Sequence, residues 1–155
     1  SATWREMPEG GAPPTAAPRL LFGFDFGGKR IGIACGDTLT RSARPLAILD
    51  NGTAPPWRDI ETLLAEWRPT QLVIGLPYNV DGSENAMTQR VRVFAGELEH
   101  RSGLPCVMVD ERYSSIDASA RLAAARRSGQ MRRGEARELD AAAACVILER
   151  WFANN

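Results

Sequence analysis

The chain has 155 residues, of which 44% are hydrophobic and 25% are charged, a composition typical of one soluble globular domain. Its 19 basic and 19 acidic side chains cancel, so the net charge gives no support to nucleic-acid binding. No apolar run approaches the roughly 20 residues that a membrane helix needs, and the N-terminus lacks the apolar stretch of a signal peptide. We therefore expect a cytoplasmic protein without a membrane partner.

Cysteine and histidine are too sparse to build a reactive site. Cys35, Cys106 and Cys145 are widely spaced in apolar surroundings, which predicts buried, reduced thiols. His100 is the only histidine, near the end of a polar helix, so a histidine base or a histidine-rich metal site is not expected. Any metal would have to be held by oxygen ligands, which favours magnesium or manganese.

The first elements in chain order predict a three-stranded meander. Residues 1–18 are rich in Pro, Gly and Ala and predict a flexible tail, which leaves 19–155 as one domain. Leu20–Phe26 is an apolar run typical of a buried strand, and Arg30–Asp37 predicts a second strand paired with it as a hairpin. Residues 41–50 predict a third strand, whose Pro45 indicates an edge position.

Helices and strands then alternate. The predicted elements are a helix through 60–67, a strand over 71–76, a helix capped by Ser83 and ended by Gly103, a strand over 106–109, a helix from Ser114 to about Gly129, and a last helix over about 138–152. Strands alternating with helices indicate parallel crossovers. The order predicts an α/β fold, with a mixed five-stranded sheet of ribonuclease H-like arrangement and helices on both faces.

Acidic residues interrupt the apolar pattern at three places. Asp25 lies between Phe24 and Phe26, Asp110 and Glu111 end the fifth strand, and Asp140 shares a helix face with apolar residues. A carboxylate in such surroundings costs several kcal/mol unless it is paired or binds metal. Clustered carboxylates without His or Cys are typical of metal-dependent phosphoryl transfer. Adjacent strand residues point to opposite faces, so only one of Asp110 and Glu111 is expected at the site, and spacing does not choose between them.

Four segments in this order resemble the YqgF/RuvX family, relatives of the RuvC Holliday-junction resolvase. The segments are the glycine-rich stretch 23–34 around Asp25, the loop 75–83, the stretch 110–115 and the helix stretch from Asp140 to Leu148. The resemblance covers residues 20–153 and implies a ribonuclease H-like nuclease that matures the 5′ end of 16S rRNA. It implies that Asp25, Glu111 and Asp140 bind Mg²⁺ or Mn²⁺, with Asp110 in reserve. The resolvases carry a glutamate after the fourth strand, where this chain has Gly75-Leu76-Pro77.

Several polar residues are candidate substrate contacts, each with a structural alternative. Lys29 and Arg30 follow the Asp25 strand and would bind phosphate or only solvate a hairpin. Asn79 and Ser83 precede a helix N-terminus, which attracts phosphate but is also an ordinary turn and cap. Arg112 would hold the scissile phosphate or pair with Asp110. An arginine-rich stretch would follow an RNA backbone or merely solvate helix ends, and it includes Arg132 and Arg133.

The leading hypothesis is a metal-dependent nuclease acting on precursor rRNA as a monomer or weak homodimer. One alternative is a resolvase-like DNA nuclease, which would act as a symmetric dimer. Another is a nucleic-acid-binding module without catalysis, which the retention of all three acids argues against. ATP binding of the sugar-kinase kind needs two domains, for which the chain is too short.

Overall fold

The structure, a computed structural model, describes residues 17–110 and 135–155, and for residues 135–140 it describes the backbone only. The strands are β1 (Leu20–Phe26), β2 (Arg30–Asp37), β3 (Ala43–Asp50), β4 (Gln71–Leu76) and β5 (Cys106–Asp110). The helices of the described part are α1 (Trp57–Trp67), α2 (Ala86–Ser102) and α3 (Glu135–Ala153). The helix predicted from Ser114 to about Gly129 and the predicted tail lie outside these residues.

The five strands form one mixed sheet in the order β3-β2-β1-β4-β5. β1 pairs antiparallel with β2, and β2 pairs antiparallel with β3, which confirms the predicted meander. β1 and β4 are parallel, as are β4 and β5, so the carboxyl ends of these three strands share one edge of the sheet. β3 is an edge strand, as Pro45 indicated.

Helices cover both faces of the sheet, which confirms the predicted layers. α1 and α2 pack on the face that carries the β1 phenylalanines, where Phe22, Phe24 and Phe26 form a core with Phe94. α3 packs on the opposite face, against Leu21 of β1 and Val73 of β4. The alternation of side chains along each strand divides the apolar runs between these two cores. No helix of the described ranges is long and apolar enough to span a membrane.

One predicted helix start is wrong. The N-cap of α2 is Asn85, whose side chain accepts from the backbone N–H of Thr88 at 3.0 Å, while the Thr88 hydroxyl accepts from the Asn85 N–H at 3.0 Å. This reciprocal pair is a capping box, and it satisfies two backbone donors. Ser83, two residues before Asn85, does not cap the helix, because its hydroxyl is hydrogen-bonded to Asp81 and Asn79 in the loop.

Candidate functional site

Asp25 is half-buried on the central strand, one residue before β1 ends. Its neighbours Phe24 and Phe26 belong to the core under α1 and α2. Leu21 belongs to the core under α3, and strand alternation places Gly23 and Asp25 in the same row as Leu21. Asp25 therefore lies on the α3 face, at the edge where β1, β4 and β5 end.

α3 runs antiparallel to β1 along this face. A Cβ built on Gly36, which pairs with Leu21, would lie 3.0 Å from the Phe152 ring. A Cβ built on Gly23 would lie 3.0 Å from the Ala144 carbonyl oxygen and 3.1 Å from the Leu148 Cβ. The level of Leu21 on β1 thus corresponds to Phe152 on α3, and the level of Gly23 corresponds to Ala144. At Gly23 there is almost no space between the strand and the helix.

The same geometry brings the backbone of residue 140 to the level of Asp25. From Gly23 to Asp25 the strand advances about 6.6 Å, and from Ala144 back to Asp140 the helix advances about 6 Å. Residue 140 is one helical turn before Ala144, in the same row of the helix. Continuing α3 by one turn from Ala144 therefore predicts residue 140 at the level of Asp25, on the face of the sheet to which the Asp25 row belongs. The structure does not describe the side chain of Asp140.

The rows of β5 bear on the two acids that the spacing left open. Cys106 and Met108 pack against the core under α1 and α2, whereas Val109 packs against the core under α3. Asp110, which pairs with Leu76 across the parallel ladder, therefore belongs to the row of Cys106 and Met108. By alternation this row is opposite to that of Asp25, while at the edge of the sheet Asp110 also lines a cavity with Trp151 and Asn154 of α3. Glu111 lies outside the described residues.

The residue types of the predicted acidic cluster fit a hard divalent cation. Carboxylate oxygens are the preferred ligands of Mg²⁺ and Mn²⁺. Among the side chains that the structure describes, no three His, Cys, Asp or Glu lie close enough to hold a metal. Two of the three predicted ligands, Glu111 and the Asp140 side chain, are not part of that set, so the predicted cluster remains a prediction.

The turn after Asp25 is fixed by a side chain that the sequence did not single out. The Asn51 side-chain amide donates to the Gly27 carbonyl at 2.7 Å, and the Asn51 backbone N–H donates to the Lys29 carbonyl at 2.8 Å. A Cβ at Gly27 would lie 2.8 Å from the Arg30 carbonyl oxygen, so the turn requires glycine there. The end of β3 thus holds the turn beside Asp25.

The two predicted cations of this turn differ in their surroundings. Lys29 is exposed at the tip, where its ammonium can reach a phosphate. Arg30 is half-buried and lies directly opposite Asp50 in the β2–β3 ladder, so an acidic neighbour competes with any phosphate. The predicted role in substrate binding stays a prediction for both.

The loop after β4 reaches the same edge and is held by its own hydrogen bonds. The Asn79 amide donates to the Ser83 hydroxyl at 2.8 Å, and that hydroxyl donates to the Asp81 carboxylate at 2.6 Å. The Asn85 amide donates to the Asn79 side-chain oxygen at 2.9 Å. These contacts show that Asn79 and Ser83 shape the loop, and their predicted contact with substrate stays a prediction.

The remaining candidates cannot be placed. Arg112 and the arginines of the basic stretch, Arg132 and Arg133, lie outside the described residues.

All three cysteines are free thiols, as predicted, with Cys35 and Cys145 buried. Burial, and secondarily the charge of Glu99, raises the pKa of the half-buried Cys106 thiol to about 12. At neutral pH Cys106 is therefore un-ionised and a poor nucleophile, which agrees with chemistry built on carboxylates.

The site also contains residues that sequence reasoning missed. Gly23 permits the close approach of α3, and Arg90 of α2 places its guanidinium 5.4 Å from the centre of the Phe26 ring. A single glycine inside an apolar strand was the available signal for Gly23, because such glycines often mark close approach of another backbone. Nothing in the helical pattern separates Arg90 from the other arginines of α2.

Sheet order, two-sided helical packing and an acid at the carboxyl edge define an α/β protein of the ribonuclease H-like class. Solved structures of low sequence identity share this fold. Thermus thermophilus RuvC in complex with a Holliday junction substrate aligns with a TM-score of 0.52 at 18% identity, covering 87% of this chain and 94% of that one. The fowlpox virus resolvase in complex with Holliday junction DNA aligns with a TM-score of 0.52 at 12% identity, covering 87% and 97%.

The family follows from sequence similarity. The profile of the RuvX family, described as Holliday junction resolvase, matches residues 19–154, and the chain belongs to this family. A protein of Edwardsiella ictaluri is 46% identical over 138 residues, covering 88% of this chain and 96% of its own length. One of Xylella fastidiosa is 42% identical over 149 residues, covering 96% and 95%. Both are described as candidate pre-16S rRNA nucleases. The predicted family, fold and nuclease class are confirmed.

Proposed function

We propose that this protein is a metal-dependent nuclease that hydrolyses phosphodiester bonds at the 5′ end of precursor 16S rRNA. The observation that supports it most is the tight contact of Gly23, two residues before Asp25 on the same face of β1, with Ala144 and Leu148, which follow Asp140 by one and two helical turns. Precursor 16S rRNA is proposed as the substrate because the relatives that match nearly the whole chain are described as nucleases of this RNA.

Asp25, Glu111 and Asp140 would hold the cation. We choose Glu111 over Asp110 because a strand that continued by one residue would put position 111 in the row of Val109, which packs on the α3 side. A carboxylate there would complete the oxygen ligands offered by the other two acids. When bound, a divalent cation would activate a water and stabilise the leaving oxygen of the phosphodiester.

The other predicted residues would bind and orient the RNA. Lys29 at the tip of the turn would attract the phosphate next to the acids, and Arg112 would hold the scissile phosphate. Arg132 and Arg133 would follow the backbone further away and make binding dependent on salt. Asn79 and Ser83 would contribute by fixing the loop at the edge, since both side chains are engaged inside it.

The decisive experiment compares two aspartates on opposite faces. Purified protein is incubated with a precursor 16S RNA fragment and, separately, with a four-way DNA junction, each with and without Mg²⁺ or Mn²⁺. We expect metal-dependent cleavage of the RNA, and loss of at least about 100-fold in rate for Asp25→Asn, because ligating the cation contributes several kcal/mol of barrier lowering. RNA binding should remain or increase, since a negative charge is removed.

The matched control is Asp110→Asn, the same change on the other face, which should keep most of the activity. Cleavage that persists in Asp25→Asn contradicts the assignment of the site. Cleavage of the junction in preference to the RNA would instead support the resolvase alternative, which the family description favours. A resolvase makes two symmetric cuts and needs a symmetric dimer. Sedimentation at the assay concentration measures the oligomeric state, for which we expect a monomer or weak homodimer.

A further inference from the structure

The turn of residues 27–30, which joins β1 to β2 just after Asp25, does not have the backbone of the commonest hairpin turns. The Gly27 N–H donates to the Arg30 carbonyl at 2.9 Å, which closes the turn around Gly28 and Lys29. Two-residue hairpin turns usually begin with a residue of positive φ, yet neither glycine of this turn lies in the left-handed region. Its shape is therefore open to control by other parts of the chain.

Two neighbouring elements contact this turn. The residue that follows β3, Asn51, donates its side-chain amide to the Gly27 carbonyl at 2.7 Å and its backbone N–H to the Lys29 carbonyl at 2.8 Å. On the side of α2, a Cβ built on Gly28 would lie 3.4 Å from Nη1 of Arg90. The helix thus limits the turn by van der Waals contact, whereas Asn51 holds it by directed hydrogen bonds.

Asn51 is itself fixed in place. It is half-buried, and its side-chain oxygen accepts from the Gly52 N–H at 3.0 Å, which orients the amide nitrogen toward Gly27. The preceding residue, Asp50, lies opposite Arg30 in the β2–β3 ladder, so the position of Asn51 follows from the register of that ladder. The end of β3 therefore transmits the geometry of the sheet to the turn.

We propose that Asn51 is a positioning residue of the nuclease site. The carbonyl that it holds belongs to the residue two positions after Asp25 and two positions before Lys29, so a displaced turn changes the spacing of the carboxylate and the ammonium. A cation at the one and a phosphate at the other need a fixed spacing, because small displacements are costly for catalysis. This inference rests on the proposed nuclease function and adds a residue to it. Asn51 touches neither the cation nor the RNA and acts through the turn.

The first test measures cleavage of precursor 16S RNA by Asn51→Ala and Asn51→Asp. Asn51→Ala removes the amide and keeps the backbone N–H, while Asn51→Asp keeps the size of the side chain and turns the donor into an acceptor that faces the Gly27 carbonyl. Both should cleave about tenfold more slowly at saturating Mn²⁺ and RNA, well below the unfolding temperature. Asn51→Ala should lower that temperature by only about 2–4 °C, since one hydrogen bond is lost.

The matched control is Asn155→Ala, which also removes a side-chain amide that donates to a backbone carbonyl, that of Trp151 at 2.9 Å. This bond follows the end of α3, close to Phe152, which lies at the level of Leu21 and away from Asp25. The cleavage rate of the control should stay within about twofold of the wild type.

RNA binding in EDTA separates a positioning role from support of the fold. In the wild type, Lys29→Gln should reduce the log–log salt slope by about 0.7, as expected when one phosphate contact to a single strand is lost. In the Asn51→Ala background the same change should reduce the slope by less than about half as much, because a displaced Lys29 no longer makes that contact. An asparagine that only stabilised the fold would leave the effect of Lys29→Gln unchanged in folded protein.

Three outcomes overturn this inference and leave the proposed function in place. They are additive effects of Lys29→Gln and Asn51→Ala on the slope, a wild-type slope that does not respond to Lys29→Gln, and cleavage by Asn51→Ala as fast as that by Asn155→Ala. A wild type that does not cleave the RNA with Mn²⁺ or Mg²⁺ overturns the proposed function, and this inference with it.

Discussion

The two faces of the sheet are built from different side chains and have different consequences. On the α1 and α2 face the core is aromatic, with Phe94 lying 4.8 Å from Phe26 and stacked 5.3 Å from Trp57 between ring centres. On the α3 face, large side chains such as Phe152 lie at the end away from Asp25, and toward Asp25 the contact is between Gly23, Ala34 and Ala144.

The aromatic face contributes mainly to the stability of the fold, whereas the α3 face determines how closely α3 approaches β1. Aromatic side chains bury large areas and keep helices at a distance that their bulk sets. Glycine and alanine let a helix backbone approach a strand, which matters when two short aspartate side chains must reach one ion. We therefore expect substitutions on the aromatic face to reduce the free energy of unfolding, and substitutions at Gly23 to reduce the rate of cleavage more than stability alone explains.

The largest effect is expected for Phe22→Ala. Phe22 is fully buried on the aromatic face, with its ring 6.3 Å from that of Phe24. Removing it leaves a cavity and should lower the free energy of unfolding by about 3–5 kcal/mol, measured by urea denaturation. The cleavage rate of the folded fraction should stay within about twofold of the wild type, because Phe22 lies away from the carboxyl edge. A selective loss of cleavage in fully folded protein would contradict the division between the two faces.

The adjacent residue tests the other face with the same final side chain. In Gly23→Ala the added methyl meets the backbone oxygen of Ala144, so α3 has to move by a few tenths of an ångström. We expect a loss of about 1–3 kcal/mol in stability from overpacking. Cleavage should fall about tenfold even below the unfolding transition, because small displacements of ligands are costly for catalysis. Rates measured on protein shown to be folded by circular dichroism check this.

The control for Gly23→Ala is Gly96→Ala on α2, where an added Cβ meets nothing within 4 Å. It should raise stability by up to about 1 kcal/mol through helix propensity and leave cleavage unchanged. If Gly23→Ala cleaves as fast as Gly96→Ala, the close approach of α3 is a packing feature without a role in placing the acids.

The sequence predicted the sheet well because its strands are unambiguous. Leu20–Phe26, Arg30–Asp37 and Gln71–Leu76 have the bounds that apolar runs and flanking turn residues indicated. Pro45 predicted an edge strand, and β3 is at the edge. These features are local, so they can be read from neighbouring residues.

The start of α2 could not be read in this way. Ser83 and Asn85 are both good capping residues, and their order of preference is nearly equal. The choice depends on Asp81, which engages the Ser83 hydroxyl, and on Thr88, which completes the reciprocal pair with Asn85. Such competition between neighbouring polar groups is a property of the folded loop.

The face of the fifth-strand acid and the surroundings of Arg90 depend on tertiary packing. Two adjacent acids give no signal of which one faces α3, because that depends on the cores into which their neighbours Met108 and Val109 pack. Arg90 differs from Arg92 only because Glu84 pairs with Arg92 and Phe26 lies under Arg90. The apolar pattern predicted the candidate acids, and the family resemblance favoured Glu111 over Asp110.

The smallest effect is expected at the cap of α2, which belongs to the aromatic face but begins at the carboxyl edge. Asn85→Ala removes the acceptor of the Thr88 N–H and should lower stability by about 1 kcal/mol, while Ser83→Ala, in the exposed loop, should change it by less than about 0.5 kcal/mol. Urea denaturation of both variants measures the difference. An equal loss in the two would mean that the loop hydrogen bonds, and not the capping box, stabilise the start of this helix.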